Sequence, residues 1–236
     1  MLIIIKNHFL MRIYGFFSGL FSLKYRFKHS LTSSISRSAK IIGWRNVSIG
    51  INTVICDESW ININDRSTSE KKFILGNNSF IGKNNFFSIG NKVVIRDYCL
   101  TTSNCSFICS THIIDDPLRC YISTGIDIKK SIYIGVNCFF GVNSSVVGDI
   151  TIGHGSIIGA NTIITKNIPP FSIVIGNPGV VIKRFCFITN KWVSPDKLSM
   201  NNPELTEDEY LRLLKSKNNY PTLPSLLTRK YFSDII

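Results

Sequence analysis

Acidic side chains are scarce in this chain: 15 Asp and Glu stand against 27 Lys and Arg, for a formal net charge of +12, and only 18% of the 236 residues are charged. With 44% hydrophobic residues, that composition excludes a chain too polar to pack and fits one core or one repeat array with terminal extensions. Paired cysteines are also missing. The seven (Cys56, Cys99, Cys105, Cys109, Cys120, Cys138, Cys186) form no CxxC, which speaks against a zinc ribbon or a disulfide framework and for core thiols in a reducing compartment. No glycine loop of the P-loop or dinucleotide type occurs. The uncharged run Ile13–Leu23 has 11 residues, well short of the ~20 that span a bilayer, and no small-residue cleavage site follows it, so neither a membrane span nor a secretory signal is expected.

What is present is a period of six. Ile134, Phe140, Val146, Ile152, Ile158 and Ile164 recur at that step, and glycine follows four of them at Gly135, Gly141, Gly153 and Gly159. A small residue takes the fifth place at Cys138, Ser144, Ser156 and Thr162. The period is neither helical nor simply strand-like. It predicts a parallel β-helix in which each hexapeptide gives one short strand and a corner, the first residue points inward, and Gly, Asn and Asp relieve the corners.

The same step runs through Ile49, Ile55 and Ile61, through Leu75, Ile81 and Phe87, and, after a two-residue slip, through Ile89, Ile95, Thr101 and Phe107. The array is therefore expected over 41–168, in five to six coils, with polar excursions at 62–72 and 108–127. Pro169 and Pro170 lack ladder donors and end the wall, leaving a closing segment 169–185. In the tail 186–236, Thr206 and Glu209 have capping-box spacing and predict a helix near 207–216.

Eight of the cations, from Lys6 to Arg45, precede the first acid, Asp57. This basic, apolar N-terminal segment, 1–40, has two readings: a helix capping the first coil, or an amphipathic helix, centred on residues 1–30, on an anionic membrane face. Nucleic acid is not expected, since no nucleic-acid motif accompanies the charge.

The hexad run IGVNCFFGVNSSVVGDITIGHGSIIGANTIITKNIPP, the closing IGNPGVVIKR and the loop STHIIDDPLR together resemble the hexapeptide-repeat acyltransferases, in the branch of galactoside, serine and polysaccharide O-acetyltransferases. The resemblance implies an all-β, left-handed parallel β-helix, acetyl-CoA as co-substrate, and a homotrimer with active sites between neighbouring prisms. Together with the basic N-terminus, it points to a glycan acceptor, a sugar hydroxyl of a bacterial surface polysaccharide or its lipid-linked precursor; the core thiols point to a cytoplasmic setting, with contact to the inner membrane face through residues 1–30 as one alternative.

Activating a hydroxyl for attack on a thioester calls for a base titrating near neutrality. His112 is the histidine in the polar excursion, and Asp115 or Asp116 follows closely enough to orient it, a role that relatives sometimes give to a backbone carbonyl. By resemblance, the Val142 amide is the oxyanion donor, and Phe139, where many relatives carry Trp, is an aromatic wall for the donor. Gly159 and Ala160 line the pantetheine arm, and Lys166, Lys183 and Arg184 meet phosphates. Asn85 is a candidate acceptor contact. His154, in a Gly-His-Gly corner, is expected at the surface or in a subunit contact.

No metal is expected. A hydration enzyme on such a scaffold needs three converging histidines, and the array offers His112 and His154. A small-molecule acetyltransferase and a non-catalytic assembly platform are the competing functions.

Overall fold

The computed structural model describes residues 23–29 and 31–217. Short strands separated by turns wind five full coils. The first contains β1 (Ser34–Ile35), β2 (Lys40–Ile42) and β3 (Val47–Ile49); the second, β4 (Val54–Ile55), β5 (Trp60–Ile63) and β6 (Phe73–Leu75). The third has β7 (Phe80–Ile81), β8 (Phe86–Ile89) and β9 (Lys92–Ile95); the fourth, β10 (Leu100–Thr101), β11 (Ser106–Ile108) and β12 (Ser131–Ile134). The fifth contains β13 (Phe139–Phe140), β14 (Ser145–Val147) and β15 (Ile150–Ile152). A sixth opens with β16 (Ile157–Ile158) and β17 (Ile163–Ile164), and Ile168 bridges to Ile152 on its third side.

Every third strand pairs in parallel with its equivalent one coil away. This gives a first wall β1-β4-β7-β10-β13-β16, a second β2-β5-β8-β11-β14-β17 and a third β3-β6-β9-β12-β15. The architecture is the left-handed parallel β-helix. The first wall continues through β18 (Ser172–Ile175) and then turns antiparallel into β19 (Val180–Cys186) and β20 (Lys191–Val193). The array opens at Ser34, earlier than the period showed, because β1 has two residues and only one of them is apolar.

The sixth-place side chains all turn inward. Ile134, Phe140, Val146, Ile152 and Ile158 are fully buried, as are Ile61, Ile81, Phe87, Ile95 and Phe107. Phe73, Phe87, Phe107 and Phe140 form an aromatic column up the axis, with Phe87 and Phe107 stacked at 4.7 Å and edge-on contacts at either end.

Corner chemistry divides between two residue types. Asparagines carry most of the positive φ angles outside glycine, as at Asn84, Asn104, Asn143 and Asn161. Gly141 is instead needed for close approach: a Cβ there would lie 2.5 Å from the Ala160 nitrogen on the next coil. Both long excursions leave the same edge, between the second and third walls, where an insertion disturbs only the ladder beside it.

Helix α1 (residues 23–29) lies over the first coil. Arg26 donates to the carbonyls of Ser36 (2.9 Å), Arg37 (3.1 Å) and Ala39 (2.8 Å), and His29 stacks on Trp44 at 6.2 Å. These contacts fasten the helix to the backbone of the first coil. The membrane reading of the N-terminal segment concerns mainly residues 1–22, which lie outside the described residues. No described helix is long and apolar enough to cross a membrane.

Helix α2 (Glu207–Lys217) begins with the expected capping box: Thr206 N–H and Oγ1 donate to Glu209 Oε2 at 2.8 and 2.7 Å, and Glu209 N–H donates back to Thr206 Oγ1 at 3.3 Å. It docks on the edge between the third and first walls. There the Glu207 carboxylate accepts from the Tyr133 hydroxyl (2.5 Å) and the Val136 N–H (2.8 Å), with Arg96 at 3.8 Å.

Candidate active site

Val142 sits where the fifth coil turns from first wall to second. Gly141 ahead of it is pressed against the Gly159-Ala160 backbone, and Asn143 behind it takes φ 60°, so the turn is fixed from both sides. The Val142 carbonyl accepts from Asn161 N–H at 2.8 Å, while its own N–H donates to no group among the described residues. The side chain is exposed. A fixed amide with no internal partner suits a site where negative charge develops.

Gly159 and Ala160 take the same edge one coil later. Gly159 N–H is bound to the Val174 carbonyl at 2.8 Å, and Ala160 is exposed. Phe139 points outward from β13 between Leu100 and Ile157, 37% exposed. These four predicted residues therefore share one edge of the prism.

His112 lies in the excursion between β11 and β12. A short antiparallel bridge to Ile126 holds its backbone, flanked by Ile113 N–H to the Gly125 carbonyl (3.2 Å) and Asp127 N–H to the Thr111 carbonyl (2.8 Å). Its imidazole is exposed and makes no hydrogen bond among the described residues. Asp115 is also exposed and is not bonded to His112; its neighbour Asp116 accepts the Leu118 N–H at 2.9 Å in a local turn. Within one chain, the ring is therefore presented without its expected orienting partner.

The excursion and the Val142 corner grow from opposite ends of the second wall. Six residues at ~3.3 Å each separate those edges by roughly 20 Å.

Three predicted contacts sit differently from expectation. Asn85 is buried, and its amide nitrogen donates to the carbonyls of Gly82 (2.8 Å), Lys83 (3.1 Å) and Thr102 (2.8 Å), so it fastens a corner and presents nothing to an acceptor. Arg184 is paired with Glu204, which already meets its charge. His154 is buried: a ring nitrogen lies 2.9 Å from the Leu205 carbonyl, and the ring packs on Phe171 and Tyr210. Lys166 and Lys183 are exposed, the first at the edge between the second and third walls and the second on β19.

Three of the thiols are held protonated, whereas hydrogen bonds with Thr189 lower the Cys186 thiol. Burial pushes the Cys56 thiol up to about 11 with help from Asp57, and burial also raises Cys109 and Cys138. Among the described residues no cluster of three His, Cys, Asp or Glu could hold a metal ion.

Comparison with known proteins bears on the repeat and the fold. Residues 131–166 match the family described as the hexapeptide repeat of succinyl-transferase. A Staphylococcus aureus protein provisionally named an acetyltransferase is 38% identical over 111 residues, covering 47% of this chain and 54% of that protein. A Mycobacterium tuberculosis protein, also provisionally named an acetyltransferase, is 31% identical over 134 residues, covering 52% of this chain and 42% of that one. The chain thus spans about half the length of the relatives it matches. Among solved structures, the N-acyltransferase AntD of Bacillus cereus, crystallised with dTDP and coenzyme A, superposes with a TM-score of 0.55 at 19% identity, over 64% of this chain and 80% of that one. The chain carries the hexapeptide-repeat left-handed β-helix and resembles the acetyltransferases built on that repeat.

Proposed function

We propose that this protein is an O-acetyltransferase that moves the acetyl group of acetyl-CoA to a sugar hydroxyl of a bacterial surface polysaccharide or its lipid-linked precursor. One observation carries the reading: on a repeat shared with acetyltransferases, an exposed imidazole without an internal partner is held out by a backbone-bonded excursion.

His112 accepts the acceptor's hydroxyl proton at a ring nitrogen as the hydroxyl oxygen attacks the thioester carbonyl. The Val142 N–H donates to the carbonyl oxygen as it gains charge. When the carbon–sulfur bond breaks, the imidazolium returns its proton to the departing sulfur, leaving the acetyl ester and the free thiol of coenzyme A. Because His112 and Val142 lie on edges a full wall apart, the reaction centre joins the excursion of one copy to the corner of another, in a homotrimer. Phe139, Gly159 and Ala160 line that cleft, where small residues admit the pantetheine arm, and Lys166 and Lys183 face its phosphates.

Calorimetric titration with coenzyme A, followed by transfer assays on de-acetylated surface glycan, free monosaccharides, serine and antibiotics, tests the reading. Glycan is expected to turn over fastest. Absence of coenzyme A binding would leave an assembly platform, and preference for a free small molecule would overturn the glycan assignment.

A further inference from the structure

The second wall carries an aromatic step that neither the core nor the catalytic residues use. Its outward column runs Lys40, Trp60, Phe86, Ser106 on successive coils. Trp60 is 40% exposed and lies against Phe86 at 5.3 Å, with the Lys40 ammonium 4.9 Å from its ring centroid.

Beside this column the face is polar. Asn62 and Ser88 are register partners on it, and a hydrogen-bonded line leads away from them. Asn62 Nδ2 donates to Asn64 Oδ1 (2.8 Å), Asn64 Nδ2 to Ser88 Oγ (3.3 Å), and Ser88 Oγ to the Ser110 carbonyl (2.9 Å), two residues before His112. The Trp60 indole N–H and Asn62 Oδ1 have no protein partner among the described residues.

We infer that Trp60, Phe86 and Asn62 form an acceptor subsite that holds a pyranose ring of the glycan upstream of the hydroxyl that reacts. This rests on the function proposed above and names acceptor-binding residues for it. Three features favour a saccharide. An aromatic ring offers a flat apolar surface for the C–H face of a sugar, while the adjacent amide and indole groups match its hydroxyls. A contact between copies would favour a mainly apolar patch, whereas here the aromatics are bordered by Lys40, Asn62, Asn64 and Ser88. Finally, the strip is continuous with the excursion bearing His112: Trp60 lies two coils, about 10 Å, below the coil from which that excursion leaves. Lys40 adds a positive charge at the far end, which suits a glycan with an acidic sugar.

The test has a binding arm and a kinetic arm. An array of neutral and uronic-acid oligosaccharides is probed with the wild-type protein and with Trp60→Ala, Phe86→Ala and Asn62→Ala, and the tightest binder is titrated by tryptophan fluorescence. The inference expects at least tenfold weaker binding for Trp60→Ala and Phe86→Ala and partial recovery in Trp60→Phe. It also expects an acceptor KM raised at least tenfold with the acetyl-CoA KM within twofold. All three side chains point away from the core, so thermal melts of the variants should match wild type. Unchanged oligosaccharide affinity, absence of any array binder for wild type, or dissociation of the oligomer in Trp60→Ala would overturn the inference. Wild-type binding that depends on Trp60, without any acetyl transfer, would refute the proposed activity and leave this subsite standing.

Discussion

Phe107 is the most informative core position to empty. Its ring is fully buried, stacked 4.7 Å from Phe87 at an interplanar angle of 7°, and met edge-on by Phe140 at 5.2 Å. Replacing a buried phenylalanine by alanine costs ~3–5 kcal/mol, and the size depends on how far the surroundings collapse. Here they can collapse little, because β11 is bonded to β8 on one side and β14 on the other. The upper part of that range, about 4–5 kcal/mol, is therefore expected for Phe107→Ala. At about 2–4 °C per kcal/mol for a chain of this size, Tm should fall by roughly 8–20 °C. Phe139, two-fifths exposed on the outer face, is the control, and Phe139→Ala should cost less than ~2 kcal/mol. Urea unfolding followed by far-UV dichroism and by tryptophan fluorescence measures both variants, and two probes are needed because coils in a repeat array can unravel separately. If Phe107→Ala and Phe139→Ala proved equally costly within about 1 kcal/mol, the assignment of inner and outer faces would be refuted.

Gly141→Ala would place a methyl group 2.5 Å from the Ala160 nitrogen and force two coils apart beside Val142. Stability should fall by ~1–3 kcal/mol and kcat should fall with the acceptor KM little changed; full activity would separate Val142 from the chemistry. Asp65 is held well below the usual carboxylate range, chiefly by its hydrogen bond from Lys72 and then by Ser67. A depressed carboxylate stabilises the fold above its unfolded pKa of about 3.9 and loses that contribution as pH falls. The stability gap between wild type and Asp65→Asn should accordingly be full at pH 6–8 and shrink below about pH 4; a gap that widens in acid would contradict the pairing. Cys120 is the exposed thiol, whereas Cys56, at about 11, stays protonated at pH 8. One equivalent of maleimide should label Cys120 first in a peptide map, and dominant labelling of Cys56 would contradict its burial.

The inside of the prism was legible in the sequence because one local rule governs it. A side chain every sixth place must share the axis, and Ile134 to Ile164 obey the rule without insertions. The capping box of α2 was legible for the same reason, since its partners lie three residues apart. Contacts between distant segments left no such trace. His154 is covered by Leu205, Arg184 by Glu204, and the Val136 amide by Glu207, all reaching back from the C-terminal tail. Asn85 could be read either as a corner residue or as an acceptor contact, and only its three carbonyl partners decide for the corner. Trp60 and Phe86 lie 26 residues apart in sequence and one coil apart in space, because the excursion in the second coil lengthens that turn. The period that found the core could not pair them.

The central claim is that His112 takes the proton from the attacking hydroxyl, and the most direct measurement is kcat for acetyl transfer by His112→Ala beside wild type, at matched coenzyme A affinity. Loss of a general base predicts a fall of ~10²–10⁴-fold, with the thermal melt and coenzyme A titration unchanged because the side chain is exposed and has no partner among the described residues. Transfer within a few-fold of wild type would contradict the account.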